Sequence, residues 1–133
     1  MKTRQMLEAY PKSMALDRTL LAVVIDTIVE CSQACTACAD ACLSEDGVAG
    51  LRKCIRTNLD CADVCGATAR VLSRQTGYDA TVSRALLEAC IAACGACAEE
   101  CVQHARMHGH CRVCAEACRA CEAACRVLLT MMG

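Results

Sequence analysis

The segment CSQACTACADAC, residues 31–42, contains four cysteines separated by four, three and four positions. The segment CIAACGACAEEC, residues 90–101, repeats this spacing. Because an α-helix turns by about 100° per residue, the four side chains of each segment lie within about 60° of one another. Each segment is therefore predicted to be a helix with one face of thiols.

Two further segments carry cysteines at helical spacing. One of them has Asn58 where the pattern would place another thiol, and Thr68 lies close to the next such position. Asn58 could bind a metal or only form hydrogen bonds, and we favour the second. The four predicted helices contain, in chain order, Cys31, Cys35, Cys38 and Cys42; Cys54, Cys61 and Cys65; Cys90, Cys94, Cys97 and Cys101; and Cys111, Cys114, Cys118, Cys121 and Cys125.

Turn-forming residues separate these helices and set the fold. Asp17 is a suitable N-cap for the first long helix, and Gly109 suits a left-handed turn before the last. The long helices are predicted at about 17–44, 48–75, 80–107 and 111–131, with turns at 44–50, 76–79 and 108–110. Because short loops join antiparallel neighbours, the sequence predicts an all-α, antiparallel up-down-up-down four-helix bundle with a cysteine-lined core.

The predicted bundle domain covers residues 17–133, and residues 1–16 form an N-terminal segment with a mild helical pattern. Aliphatic residues lie in the half of each helix that has no cysteine, so one end of the bundle should be closed by a hydrophobic plug. These residues are Leu20, Leu21, Val24, Ile25 and Ile28; Val71 and Leu72; Val82, Leu86 and Leu87; and Val127, Leu128, Leu129, Met131 and Met132.

Composition excludes several classes of partner. The net charge is −1, and the chain has two Tyr but no Phe or Trp, so neither a nucleic acid nor an anionic membrane surface is expected as a partner. The longest stretch without a charged residue, 89–98, is too short to span a bilayer. The N-terminus lacks the apolar region of a signal peptide, so we expect a cytoplasmic protein with reduced thiols.

Inward-facing thiols in such number favour a soft metal. Zinc in four tetrahedral four-cysteine sites would leave a charge of about −8 in a narrow core, which is very costly. Iron–sulfur clusters are usually held by loop motifs that do not occur here. Copper(I) accepts two or three thiolates, and bridging thiolates allow about one Cu(I) per cysteine and a neutral core. An iron–sulfur electron-transfer protein and a thiol-rich zinc buffer remain as alternatives.

Three histidines and a methionine cluster around the last predicted turn: His104, Met107, His108 and His110. The topology places this turn at the thiol end of the bundle, where imidazole and thioether groups could pass copper inward. A solvated polar turn explains the cluster about as well. The acidic residues Asp40, Asp60, Glu99, Glu100 and Glu122 are expected on the outer face.

The cysteine motifs resemble those of the cytosolic branch of the bacterial copper storage proteins, over roughly residues 17–131. The resemblance implies a four-helix bundle that holds many Cu(I) ions, assembles into a homotetramer and acts as a store rather than an enzyme. It also implies that all sixteen cysteines are ligands and that His104, Met107, His108 and His110 lie at the mouth. A copper chaperone or a cuproenzyme would be the exchange partner.

Overall fold

The structure is a computed structural model that describes residues 1–132. Its helices are α1 (Thr3–Glu8), α2 (Arg18–Leu43), α3 (Arg52–Leu72), α4 (Ala80–Val102) and α5 (Gly109–Met131), with a 3₁₀ turn at Val48–Leu51 before α3. Within these residues there is no strand. Helix α2 packs against α3, α3 against α4, and α4 against α5, and α2 also packs against α5. The predicted all-α four-helix bundle is confirmed.

Side-chain caps begin two of the long helices. Asp17 Oδ1 accepts a hydrogen bond of 2.8 Å from the backbone N–H of Leu20, which confirms the predicted N-cap of α2. Asp79 Oδ1 accepts one of 2.9 Å from Thr81 N–H at the start of α4. Both caps satisfy backbone donors that have no partner within the helix.

Two predicted details around the last turn are wrong. Helix α4 ends at Val102 rather than near residue 107. Beyond it, backbone bonds such as His104 N–H to Cys101 O, at 3.0 Å, span three residues and tighten the chain into turns. Gly109 has no positive φ and instead begins α5; the only residue with positive φ among those described is Gly77, at 66°.

The end of the bundle opposite this turn is filled by aliphatic side chains, as predicted. The most buried are Leu21, Val24, Ile25, Ile28, Leu72, Leu87 and Leu128, each at most 3% exposed. Three predicted members instead face outward: Val82, Val127 and Met131 are 47%, 51% and 66% exposed. They lie on the sides of α4 and α5 that the bundle does not cover.

The N-terminal segment packs along α2. Leu7 of α1 is 4% exposed and belongs to the core cluster. The guanidinium of Arg18 donates to the backbone carbonyls of Leu7, Glu8, Tyr10 and Lys12. The hydroxyls of Tyr10 and Thr76 lie 3.0 Å apart. These contacts tie the segment to the aliphatic end.

Helix α2 is long and apolar enough, by length and composition alone, to cross a membrane. This differs from the sequence expectation, which counted only stretches without charge. In the structure the apolar face of α2 is part of the bundle core, from Leu21 to Cys42. A core helix of a soluble protein passes the same test, so this result is weak evidence for a membrane span.

Candidate metal centre

The axis of the bundle is lined by thiols. All sixteen cysteines are free, and each is at most 2% exposed. Their helical spacing directs them to one face of each helix, and packing of the four helices turns those four faces toward one another. The cysteines therefore occupy the half of the core beyond the aliphatic plug.

The thiols form a continuous network across the helices. Cys65 of α3 lies 3.6 Å from Cys90 Sγ, 3.7 Å from Cys94 Sγ and 4.0 Å from Cys121 Sγ. Several sets have all their sulfur atoms within 4.8 Å of one another: Cys31, Cys65, Cys94 and Cys121; Cys31, Cys35, Cys61 and Cys118; Cys35, Cys97, Cys114 and Cys118; Cys38, Cys42, Cys54 and Cys111; and Cys38, Cys101 and Cys114. Because these sets share members, one thiol can serve two ions.

The spacing of the sulfur atoms suits ions bound by several thiolates. At a metal–sulfur bond of about 2.3 Å, as for zinc, three sulfurs around one ion lie about 4 Å apart. Neighbouring thiols here are 3.6–4.0 Å apart, for example Cys35 and Cys118 at 3.6 Å or Cys31 and Cys35 at 3.9 Å. The core is thus arranged for soft-metal binding before any metal is present.

Asn58 occupies the level where α3 lacks a thiol. It is fully buried, and its Oδ1 accepts from the thiols of Cys97, Cys101 and Cys114 at 3.0, 3.4 and 3.3 Å. Its Nδ2 donates to Cys54 Sγ at 3.8 Å. The expectation that Asn58 forms hydrogen bonds in the core is met, and the sequence alone did not identify these partners.

The thiol end is closed by an imidazole cluster. His110 Nδ1 lies 3.4, 3.6 and 4.0 Å from the sulfur atoms of Cys38, Cys111 and Cys42. Its ring stacks on that of His108, with centroids 5.4 Å apart. Glu45 Oε2 lies 2.7 Å from His108 Nδ1 and 2.8 Å from His110 Nε2. The last turn therefore meets the α2–α3 connection at the thiol end, as the topology predicted.

His104 lies on a second side of this end and pairs with a carboxylate that the sequence analysis misplaced. Glu100 was expected on the outer face, but it is 6% exposed. Its Oε2 contacts His104 Nε2 at 3.0 Å, and its Oε1 lies 3.9 Å from Lys53 Nζ. Because Glu100 precedes His104 by one helical turn, the i,i+4 spacing was an available signal for this pair.

The structure does not bring Met107 to the thiols. Its side chain is 84% exposed on the turn between α4 and α5. Of the four residues predicted for the mouth, His110 is the one with contacts to cysteine sulfurs, while His108 and His104 contact carboxylates.

Burial raises the pKa of two thiols near the mouth. The pKa of Cys42 is raised to about 11. Burial also raises the pKa of Cys111 far above its ordinary value. For Glu45, the hydrogen bond from His110 lowers the carboxyl pKa. Thiols such as Cys42 must therefore lose protons when a cation binds.

A family model described as copper storage protein matches residues 17–130. The chain is similar to a copper storage protein from Streptomyces lividans, Ccsp, in a structure loaded with 10 copper equivalents: 60% identity, TM-score 0.95, covering 96% of this chain and 98% of that one.

The chain is also similar to the protein in a second Streptomyces lividans structure and to a Bacillus subtilis protein. A structure of a cytosolic copper storage protein from Streptomyces lividans, described as loading with five coppers, has 65% identity and a TM-score of 0.83, covering 84% of this chain and 93% of that one. An uncharacterized cysteine-rich protein of Bacillus subtilis, YhjQ, is 35% identical over 93 residues, which is 70% of this chain and 81% of that protein.

Proposed function

The chain belongs to the copper storage protein family, and from this premise we propose that it stores many Cu(I) ions in the cytosol. The observation that carries the proposal is the network of sixteen buried thiols, with neighbours 3.6–4.0 Å apart in the metal-free fold. The similar Streptomyces lividans protein is described as cytosolic and as taking up copper. A preformed site can fill without folding, unlike a zinc finger.

Charge explains why copper(I) suits this core. Each bound Cu⁺ replaces one thiol proton, so about one ion per cysteine leaves the buried core neutral. Zinc in four-thiolate sites would instead add about two negative charges per ion to an interior that water does not reach. Binding of about one Cu(I) per thiol is therefore electrostatically favoured in the cysteine-lined core.

The proposed ligands are the sixteen core cysteines, which are Cys31, Cys35, Cys38, Cys42, Cys54, Cys61, Cys65, Cys90, Cys94, Cys97, Cys101, Cys111, Cys114, Cys118, Cys121 and Cys125. At the mouth we include His104, Met107, His108 and His110 as the groups that pass copper inward. His110 is supported by its contacts with three sulfurs. The exposure of Met107, 84%, suits a first contact with incoming copper rather than a core ligand.

Storage is the role of the family, and we propose that this chain has no catalytic activity of its own. We also propose that residues 17–133 form the storage domain and that residues 1–16 are an appended segment; Gly133 lies outside the described residues. We also propose a homotetramer, and exposed apolar side chains such as Val23, Leu59 and Val113, which are 57%, 46% and 49% exposed, are available for its contacts. A copper chaperone or cuproenzyme is the proposed exchange partner.

The decisive experiment is an anaerobic titration of reduced, metal-free protein with Cu(I) against a competing chelator, with circular dichroism in parallel. Saturation well above four ions per chain, with full helicity before the first addition, supports the store. Saturation at four ions or fewer, or helix that forms only with metal, contradicts it. A chain with Cys31, Cys65, Cys94 and Cys121 changed to Ser should lose capacity without losing helix.

The mouth is tested separately by changing His104, His108 and His110 together to Ala. Copper uptake and release should slow while the final capacity changes little, because the core thiols remain. Unchanged rates in the triple variant would contradict the proposed entry route.

Sedimentation of metal-free and loaded protein tests the proposed tetramer.

A further inference from the structure

One carboxylate oxygen at the mouth contacts two imidazoles. Glu45 Oε2 lies 2.7 Å from Nδ1 of His108 and 2.8 Å from Nε2 of His110. The three side chains are 20–30% exposed, so they are partly shielded from water. Glu45 lies on the α2–α3 connection and both histidines lie at the start of α5. The contact therefore joins two separate parts of the chain.

The hydrogen bond between Glu45 and His110 determines which ring nitrogen of neutral His110 carries its proton. An ionised carboxylate can only accept hydrogen bonds, so the nitrogen that faces it must carry the hydrogen. His110 must then donate from Nε2, which leaves the lone pair on Nδ1. His108 Nδ1 lies 2.7 Å from the same oxygen. The two stacked rings therefore share one carboxylate, and the hydrogen bond to His110 is the one that fixes a tautomer.

The freed nitrogen of His110 points at the first level of thiols. Nδ1 lies 3.4, 3.6 and 4.0 Å from the sulfurs of Cys38, Cys111 and Cys42. With a lone pair there, His110 can accept an S–H proton or bind an ion that these thiolates share. With the other tautomer, an N–H would point toward the thiols and would not bind a cation.

We propose that Glu45 is a positioning residue for copper entry, because it fixes the Nε2–H tautomer of His110 and so presents the Nδ1 lone pair to Cys38, Cys42 and Cys111. Glu45 itself touches no thiol in this role and acts through the imidazole. The proposal rests on the copper-storage function, which it deepens by assigning a role at the mouth to a residue outside the histidine–cysteine set. Partners of this kind change metal affinity by about 10–100-fold in other metal sites.

The tautomer can be measured without any copper. Reduced, metal-free protein labelled with ¹⁵N is studied by long-range ¹H–¹⁵N correlation at a pH of about 9, where an ordinary imidazole is neutral. The His110→Gln variant assigns the His110 signals. The wild-type protein should carry the His110 proton on Nε2, and Glu45→Ala should shift the population toward Nδ1–H. Glu45→Gln retains an accepting oxygen and should keep most of the wild-type tautomer.

The matched control is Glu116→Gln, which makes the same chemical change on the outer face of α5, where Glu116 pairs with Arg112. It should leave the His110 spectrum and copper uptake at wild-type values. A wild-type spectrum with the proton on Nδ1, or an unchanged tautomer in Glu45→Ala, would overturn the proposal. This result does not depend on whether the protein stores copper.

Copper uptake supplies the second measurement, by competition between the protein and a Cu(I) chelator. Glu45→Ala should weaken binding of the first ions about 10–100-fold, Glu45→Gln should weaken it less, and total capacity should be equal in all variants. Wild-type affinity for the first ions in Glu45→Ala would overturn the role in entry. If the wild-type chain itself took up no copper, the storage function would fail, and the role of Glu45 in copper entry with it.

Discussion

The two halves of the bundle are built from the same four helices but from different side chains. One half is closed by branched aliphatic residues such as Leu21, Ile28 and Leu87, all fully buried. The other half contains cysteine and one fully buried amide, Asn58, and it ends in an imidazole–carboxylate cluster. A thiol buries less apolar surface than Leu or Ile, so the cysteine half gains less from the hydrophobic effect. Stability and metal binding are thus assigned to opposite ends of each helix.

The largest expected effect separates the halves by one substitution in each. Leu87 and Cys94 both lie on α4, both side chains are fully buried, and each is changed to Ala. Leu87→Ala should lower the free energy of unfolding by about 2–5 kcal/mol while copper capacity per folded chain stays the same. Cys94→Ala removes only a sulfur, so it should cost less stability but reduce capacity. Urea unfolding of metal-free protein and Cu(I) titration measure the two quantities. Equal stability losses would contradict the division.

The next largest effect is expected for the N-terminal segment, which covers the aliphatic end of the bundle. Arg18→Ala removes the guanidinium that binds four carbonyls of the N-terminal segment. We expect a loss of about 1.5–3 kcal/mol, the usual range for hydrogen bonds to a charged group, and faster proteolysis within the first residues. The rate of copper uptake should not change, since entry is at the other end. A slower uptake would indicate that the two ends are coupled. Arg56→Ala, which breaks an exposed pair with Asp60, is the control.

The thiol end should respond to pH. Burial raises the pKa of Cys42 to about 11, so its thiol is protonated near neutrality and binding an ion as a thiolate displaces a proton. Apparent affinity for copper should therefore rise with pH, by about tenfold per unit for each proton displaced. Chelator competition between pH values of about 6.5 and 8.5 measures this slope, and proton release during loading checks it independently. An affinity that falls as pH rises would contradict the assignment.

The smallest effect is expected at the boundary between the halves. Thr68 is fully buried, but its Oγ1 donates to Val64 O of its own helix at 2.7 Å. Thr68→Val keeps the shape and leaves that carbonyl its helical hydrogen bond, so unfolding free energy should change by less than about 1 kcal/mol and capacity should not change. Thr68→Cys is the informative partner variant: a gain in capacity would show that the thiol half can be extended toward the plug.

The helical spacing of the cysteines was enough to predict the four-helix bundle and its lined core. The spacing predicts the bundle because each of the four helices carries one face of thiols, and each face can be buried only by packing against the other three helices. The same periodicity placed Leu21 and Leu87 in the plug. It failed for Val82, Val127 and Met131, which are exposed. Adjacent residues of a helix point about 100° apart, so Val127 faces outward where its neighbour Leu128 faces the core.

The mouth was predicted only in part. The histidines could be found by their proximity in sequence, but the carboxylates that hold them could not all be found in that way. Glu45 reaches His110 across 65 residues of chain. Glu100 is next to Glu99 in sequence, yet 6% exposed, since it faces His104 and Lys53. The Glu100–His104 pair has i,i+4 spacing and could have been found from the sequence. The contact between Glu45 and His110 depends on how loops meet at the end of the bundle, which spacing along one helix does not encode.

The separation of neighbouring thiols, 3.6–4.0 Å, limits how much the outer surface can change when metal binds. Because three sulfurs around one ion need about the same separation, ions can replace protons with little displacement of the helices. An empty molecule and a full one would then have nearly the same size and outer surface. A partner that must distinguish them can do so only at the end where Glu45, His108 and His110 meet.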